Sequence, residues 1–116
     1  MNGRDNVHAG LMGEFRAMHM LKKAGMKLCA WRYRGAGGEV DLIMEDRGVL
    51  VFVEVKLRAN GQIGDGMRAV NAEKQRRIRK AARHFLLCRK KREDIAVRFD
   101  VVEITHAGMR HILNAF

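Results

Sequence analysis

Glu39-Val-Asp-Leu-Ile-Met-Glu-Asp-Arg-Gly-Val-Leu-Val-Phe-Val-Glu-Val-Lys56 is the stretch whose reading decides the fold. Two apolar, β-prone runs, Val40 to Glu45 and Val49 to Val55, meet at Asp46-Arg47-Gly48, which predicts a β-hairpin. Strand side chains alternate, so Glu54 and Lys56 share a face while Val53 and Val55 point the other way. A tight turn near Arg47 sets Asp41 opposite Glu54 and Glu39 opposite Lys56, gathering all four on one face. A one-residue slip would scatter them to both faces.

Outward from the hairpin, the 116-residue chain fits one domain with a modest core. With 47% hydrophobic residues it is too apolar for disorder, yet no apolar run reaches the length of a membrane span. The N-terminus lacks the apolar segment of a secretory signal, so cytoplasmic residence is expected. Cys29 and Cys88 form no CxxC pair and the five histidines no HxxxH pair, which argues against a disulfide framework or a zinc site. A net charge of +10, with a pI near 10.5, attracts polyanions and makes nucleic acid the expected partner, with no membrane association. The same cations could also form only a solvated face.

Upstream, Gly10 to Lys23 reads as a helix with Leu11, Phe15, Met18 and Leu21 at its stripe and Gly25 as its stop, residues 1–8 being flexible. Glu14 lies beside that stripe and follows Gly13, whose missing side chain allows close approach. Taken alone, one Glu on a helix reads first as a solvated acid near the positive N-terminus. Lys27 to Arg34 is a strand in which Leu28, Ala30 and Arg32 alternate with Cys29, Trp31 and Tyr33. Its aromatic and basic mix, Trp31 to Arg34, suits base stacking and phosphate contact, or simply an edge strand over a core. Gly35 to Gly38 supplies a bend.

Downstream, a Gly-rich loop over residues 58–70 could fold over the acidic face. Asn71 should cap a helix running to Leu87 or Arg89, burying Ile78, Ala81, Ala82, Phe85 and Leu86. Its other faces carry Lys74, Arg76, Arg77, Arg79, Lys80 and Arg83, followed by the Arg89-to-Arg92 run, the strongest basic surface in the chain. Ala96 to Thr105 is a strand interrupted by Asp100, an acid expected to pair with the neighbouring helix or cap a loop. A last hairpin or edge strand follows Gly108.

Three crowded carboxylates must take up protons or a cation. Oxygen donors without Cys or His favour a hard ion, Mg²⁺ or Mn²⁺. A lysine nearby can offset charge developing on phosphorus, so the face has parts suited to phosphodiester hydrolysis. A salt-bridge ladder with Glu39 on Lys56 explains the same spacing.

Asp41 followed on the next strand by Glu54-Val-Lys56 resembles the PD-(D/E)xK nuclease superfamily. Five ordered blocks carry a closer likeness: Gly13-Glu14 with Ala17 and Leu21, Gly38 to Ile43, Phe52 to Lys56 with Arg58, Lys74-Gln75, and Arg98 to Val102. These resemble the YraN-like family of small bacterial proteins, itself similar to Holliday junction resolvases. The resemblance implies an α/β, restriction-endonuclease-like core: a mixed β-sheet flanked by helices in the order α-β-β-β-α-β, to which the residues after Gly108 could add a C-terminal strand. It implies a Mg²⁺- or Mn²⁺-dependent endonuclease acting on branched or otherwise structured DNA, with Asp41 and Glu54 as metal ligands, the Val55 carbonyl as a third and Lys56 as the catalytic lysine. Glu14 becomes a site residue reaching the same or a second metal, with Glu39 and Gln75 auxiliary. Arg32, Arg34, Arg58, Lys74, Arg77 and Lys80 would contact nucleic acid, and a two-fold homodimer would suit symmetric cutting. The pattern expects Asn and Arg where this chain has Arg32 and Ala36, and a less basic residue at Arg68. The alternative is a nucleic-acid-binding or partner-recruiting module that keeps the fold without turnover.

Overall fold

A computed structural model describes residues 3–58, 70–90 and 94–116, with side chains from residue 9 onward. The loop expected over 58–70 lies outside these residues except at its two ends, as do Arg68, the Lys91-Arg92 end of the basic run, and the side chains of residues 1–8.

The elements in order are α1 (Gly3–Lys23), β1 (Lys27–Gly35), β2 (Gly38–Asp46), β3 (Val49–Leu57), α2 (Ala72–Phe85), a π-helical turn (Leu86–Lys90), β4 (Val97–Thr105) and β5 (Gly108–Ile112). The strands form one sheet in the order β1-β2-β3-β4-β5. Only β3 and β4 are parallel, joined by the crossover that contains α2; the other neighbours are antiparallel. This is the expected mixed sheet flanked by two helices, consistent with a restriction-endonuclease-like core.

The central hairpin has the expected register, with Asp46 opposite Val49 and Leu42 opposite Val53. Arg47 at φ 51° and Gly48 at φ 87° make its two-residue turn left-handed, which matches the twist of the flanking strands. Ala36 and Gly37, at φ 54° and 78°, make a second such turn between β1 and β2. The sheet's two faces feed two cores. Ile43, Leu50 and Phe52 pack with Ile78, Ala81, Ala82, Phe85 and Leu86 of α2 and its π turn. Leu42, Met44, Val51 and Val53 pack with Ala17, Met18 and Leu21 of α1. Both faces are therefore apolar through the middle of the hairpin, as a doubly covered sheet requires.

Helix α2 follows its expected outline. Asn71 Oδ1 accepts the Lys74 amide at 2.8 Å, and the buried stripe is the predicted one. Helix α1 differs in two ways. It begins at Gly3 rather than near Gly10, and its buried side is turned so that Glu14, Ala17, Met18 and Leu21 face inward while Leu11 and Phe15 are exposed. The cause lies at Gly13, where a Cβ would stand 2.9 Å from Leu57 Cδ2: the helix rests on the sheet through its glycine. It stops as expected, with the Met26 amide on the Leu21 carbonyl and Gly25 at φ 99°.

Asp100 is fully buried, but its partners are not on a helix. Arg98 holds both its carboxylate oxygens, His111 Nε2 lies 2.7 Å away, and the Asn114 amide donates at 3.0 Å, so the acid ties β5 and the C-terminal turn to β4.

Candidate active site

Strict alternation fails where the site begins. On β1, Arg32 has φ 55°, a left-handed backbone rare outside Gly and Asn. Trp31 and Arg32 consequently turn to the same partner instead of to opposite faces. Trp31 Nε1 donates to Glu14 Oε1 at 2.6 Å, and Arg32 donates to both Glu14 oxygens at 2.8 and 3.0 Å. On β2 the ladder to β3 ends at Leu42, so neither Asp41 and Glu54 nor Glu39 and Lys56 continue it as paired residues. Asp41 uses its side chain instead, Oδ2 accepting the Val55 amide at 2.8 Å.

Asp41 and Glu54 nevertheless meet through their side chains. Glu54 is buried, and its carboxyl is pushed up to about 9 by burial, by a hydrogen bond with Asp41 and by that residue's charge, against the pull of Lys74 and Lys56. Among the described residues, Glu54 Oε1 is buried with no hydrogen-bond partner. The Lys56 ammonium, on the same strand, has no hydrogen bond or ion pair among the described residues. An orphaned buried oxygen on a carboxyl raised by a neighbouring acid is what a cation would relieve, and all-oxygen donors suit Mg²⁺ or Mn²⁺. The pair therefore fits such an ion through Asp41 and Glu54. Among the described residues no three acids, histidines or cysteines stand grouped around a ready-made metal position.

Glu14 is not brought into the Asp41–Glu54 pair. Its carboxylate is occupied by Trp31 and Arg32, although it lines a cleft of about 180 Å³ with Arg32, Arg34, Glu39, Val40 and Asp41. Glu39 does not meet Lys56, which removes the salt-bridge ladder. It is held by Arg77 at 2.9 Å, Lys74 at 3.5 Å and Arg34 at 3.6 Å. Lys74 also reaches Glu54, at 3.6 Å, and so spans two of the acids.

This convergence depends on Gly38. A Cβ there would lie 2.2 Å from the Arg77 carbonyl and 2.8 Å from the Ala81 amide, so only glycine lets α2 settle on the start of β2. The Gln75 side-chain amide donates to the Val70 carbonyl at 2.9 Å. Arg58 faces inward, 3.5 Å from the fully buried Glu103. Arg34 and Lys80 are exposed, and Arg77 is half-exposed. Arg76, Arg79, Lys80 and Arg83 extend the cationic surface along α2.

Trp31 is the participant that sequence reasoning did not assign to the site. The signal for it was the Asn expected at position 32, since Asn tolerates the left-handed backbone that breaks the alternation.

A family model, the uncharacterised protein family UPF0102, matches residues 13–104, a span that contains every acid of the site. The chain is 42% identical over 110 residues to a UPF0102 protein of Shewanella amazonensis, covering 95% of this chain and all of that one. It is 43% identical over 106 residues to a UPF0102 protein of Herminiimonas arsenicoxydans, covering 91% of this chain and 84% of the relative. A UPF0102 protein of Lachnoclostridium phytofermentans is 40% identical over 107 residues, covering 92% and 91%. With the match running from the glycine under Leu57 to the end of β4, the chain belongs to the uncharacterised protein family UPF0102.

Proposed function

We propose that this protein is a nuclease of the PD-(D/E)xK type, a metal-dependent endonuclease that hydrolyses DNA phosphodiester bonds, with branched or otherwise structured DNA in the cytoplasm as its substrate. The observation that carries the reading is the buried Asp41–Glu54 carboxyl pair, with one Glu54 oxygen unsatisfied and, two residues along the same strand, a Lys56 ammonium whose charge acts on Glu54 and which has no ion pair among the described residues. Asp41 and Glu54 would hold Mg²⁺ or Mn²⁺ with the Val55 carbonyl as a further oxygen donor, and Glu14 is near enough to the cleft to join once released from Arg32. When bound, the ion supplies Lewis-acid activation of water and of the phosphoryl group.

The chain's own residues do the rest. Lys56 places a positive charge where negative charge develops on the phosphate oxygens. Arg34, Arg77 and Lys80 hold neighbouring phosphates through charge-assisted hydrogen bonds. Lys74 neutralises Glu39 and Glu54, keeping the acids from repelling the DNA backbone. Symmetric cutting of two strands would require two copies, related by a two-fold axis.

A second reading draws on the same ion pairs. Arg32 on Glu14, with Lys74 and Arg77 on Glu39, neutralises acids with protein cations alone, as a non-catalytic nucleic-acid-binding or partner-recruiting module would. Incubation with linear, supercoiled and four-way-junction DNA, in Mg²⁺, Mn²⁺ or EDTA, separates the two. Metal-dependent cleavage that disappears in Asp41→Asn and Lys56→Ala is expected. Binding by all three proteins without any cleavage by the unaltered chain would establish the module instead.

A further inference from the structure

A second group of reactive side chains lies at the other end of α2 from Lys74. Cys88 Sγ stands 3.6 Å from His84 Nε2, and His84 Nδ1 stands 2.6 Å from the Tyr33 hydroxyl. His84 and Cys88 are four residues apart, the spacing that stacks side chains on one helical face. Cys88 is carried on the π-helical turn Leu86–Lys90, a local widening of the kind that often marks functional positions.

The imidazole is held from three sides. Its ring lies against Gly35, where a Cβ would fall 2.2 Å from Nδ1, so the glycine is required for the ring to sit there. Tyr33 fixes one nitrogen, and the Tyr33 and His84 ring centroids are 5.8 Å apart. Burial, with the charge of Cys88, pushes the phenol up against the opposing effect of Arg89, so the hydroxyl stays neutral and its oxygen can accept from Nδ1–H, the tautomer that leaves the lone pair on Nε2. The remaining nitrogen faces the sulfur. Beside the sulfur is a cavity of about 180 Å³ lined by Ala36, Lys80, Arg83, His84, Leu87 and Cys88. It has an apolar floor and two cations at its edge.

A nucleophile, a base within reach and a third group orienting the base are the parts of an activated thiol. The cavity adds a place for the reagent. A hydroperoxide would need no cationic rim, whereas a small disulfide that carries carboxylates would fill the floor and pair with Lys80.

We propose that Cys88 is a reactive thiol that undergoes exchange with carboxylate-bearing disulfides, with His84 as its base and Tyr33 as a positioning residue. The thiol proton passes to His84 Nε2 and Sγ attacks one sulfur of the bound disulfide. One S–S bond forms and one breaks. The departing half leaves as a thiolate and takes the proton from His84, so no other oxidant is consumed. This chemistry is independent of the acidic site.

The test uses the full chain with oxidised glutathione as the anionic probe and cystamine as a cationic one, the modified residue being located by peptide mass mapping. Cys29, half-buried and with its thiol pushed up chiefly by burial, serves as internal reference. Cys88 is expected to acquire glutathione at least tenfold faster than Cys29 and than an unstructured cysteine peptide. His84→Gln, its fold checked by circular dichroism, should slow the reaction about tenfold near pH 7 and converge with the unaltered protein near ~pH 10, where a thiol of ordinary acidity ionises unaided. Lys80→Gln should slow glutathione but not cystamine. A Cys88 rate no greater than that of the free peptide, a His84→Gln rate unchanged near neutrality, or equal effects of Lys80→Gln on both probes would overturn the proposal.

Discussion

The Val55 amide donates to Asp41 Oδ2 at 2.8 Å, just past the point where the ladder between β2 and β3 ends. One carboxylate therefore both closes the gap between two strands and sits beside Glu54. Asp41→Asn, whose amide oxygen can still accept from Val55, should lose less than about 1 kcal/mol of stability, while Asp41→Ala leaves that amide unsatisfied and loses about 1–3 kcal/mol. Both should abolish metal-dependent cleavage. Urea unfolding of the two variants beside a nuclease assay tests this, and equal destabilisation would show that the hydrogen bond contributes nothing.

Glu54 makes stability depend on pH. Its carboxyl is raised from 4.5 to about 9 in the fold, first by burial and then by Asp41. Between those values the folded protein keeps a proton that the unfolded chain has released, so stability in EDTA declines as pH rises through this window and levels off above it. Glu54→Gln should be the more stable protein at the upper end of the window and should flatten the decline, while losing cleavage. Thermal midpoints taken at intervals between pH 5 and 9 measure the effect, and a slope unchanged by the substitution would rule out Glu54 as its source.

Asp100 titrates the other way. Burial acts to raise its carboxyl, but hydrogen bonds from His111, Arg98 and the Asn114 amide outweigh this and hold it below 3.8. The stabilisation it contributes is complete above the ordinary value and is lost as pH falls through the depressed one. Asp100→Asn should destabilise by about 3 kcal/mol, because Arg98 and His111 lose a buried partner. Calorimetry at neutral pH reads the loss, and hydrogen exchange should show it concentrated in β5 and the C-terminal turn.

The cationic surface of α2 predicts salt-sensitive binding. DNA affinity should fall steeply between ~50 and ~200 mM salt. Lys80→Gln and Arg34→Gln should each weaken binding about evenly across sequences and reduce the salt slope by about 1. Titrations at several salt concentrations decide it, and a flat response would exclude phosphate contact.

Much of this architecture was legible because its signals are local. Arg47-Gly48 set the register of the central hairpin, Asn71 the start of α2, and the Ile78-to-Leu86 stripe the face it buries. What periodicity could not convey came from contacts between distant segments. Leu11 and Phe15 had the spacing of a buried stripe, but the close approach of Leu57 to Gly13 turned α1 about its axis. The four-residue face drawn from the pairing was right in bringing Asp41 to Glu54. It was wrong for Glu39 and Lys56, because the ladder ends at Leu42 and α2 brings Arg77 and Lys74 to Glu39 first. Arg32 illustrates the limit well: a left-handed Arg leaves no trace in an alternation count, yet it decides which partner Trp31 and Arg32 share.

Gly38→Ala should be among the most damaging small substitutions in the chain. The added methyl would meet backbone atoms of α2 at 2.2 and 2.8 Å, which cannot yield as a side-chain tip can. A loss at or above the upper end of about 1–3 kcal/mol is expected, and DNA affinity should fall with it. Unfolding and binding measured on the same variant test whether the two move together.

The bare backbone at Gly38 thus acts as a gauge block between helix and hairpin. Because the helix bears on main chain there, the distance from its row of cations to the carboxyl pair is set when the protein folds and not when a ligand arrives. On the proposed function, a strand of nucleic acid would meet a ruler already cut to length, and whichever phosphate Arg77 and Lys80 gripped would determine which one was presented to Asp41 and Glu54.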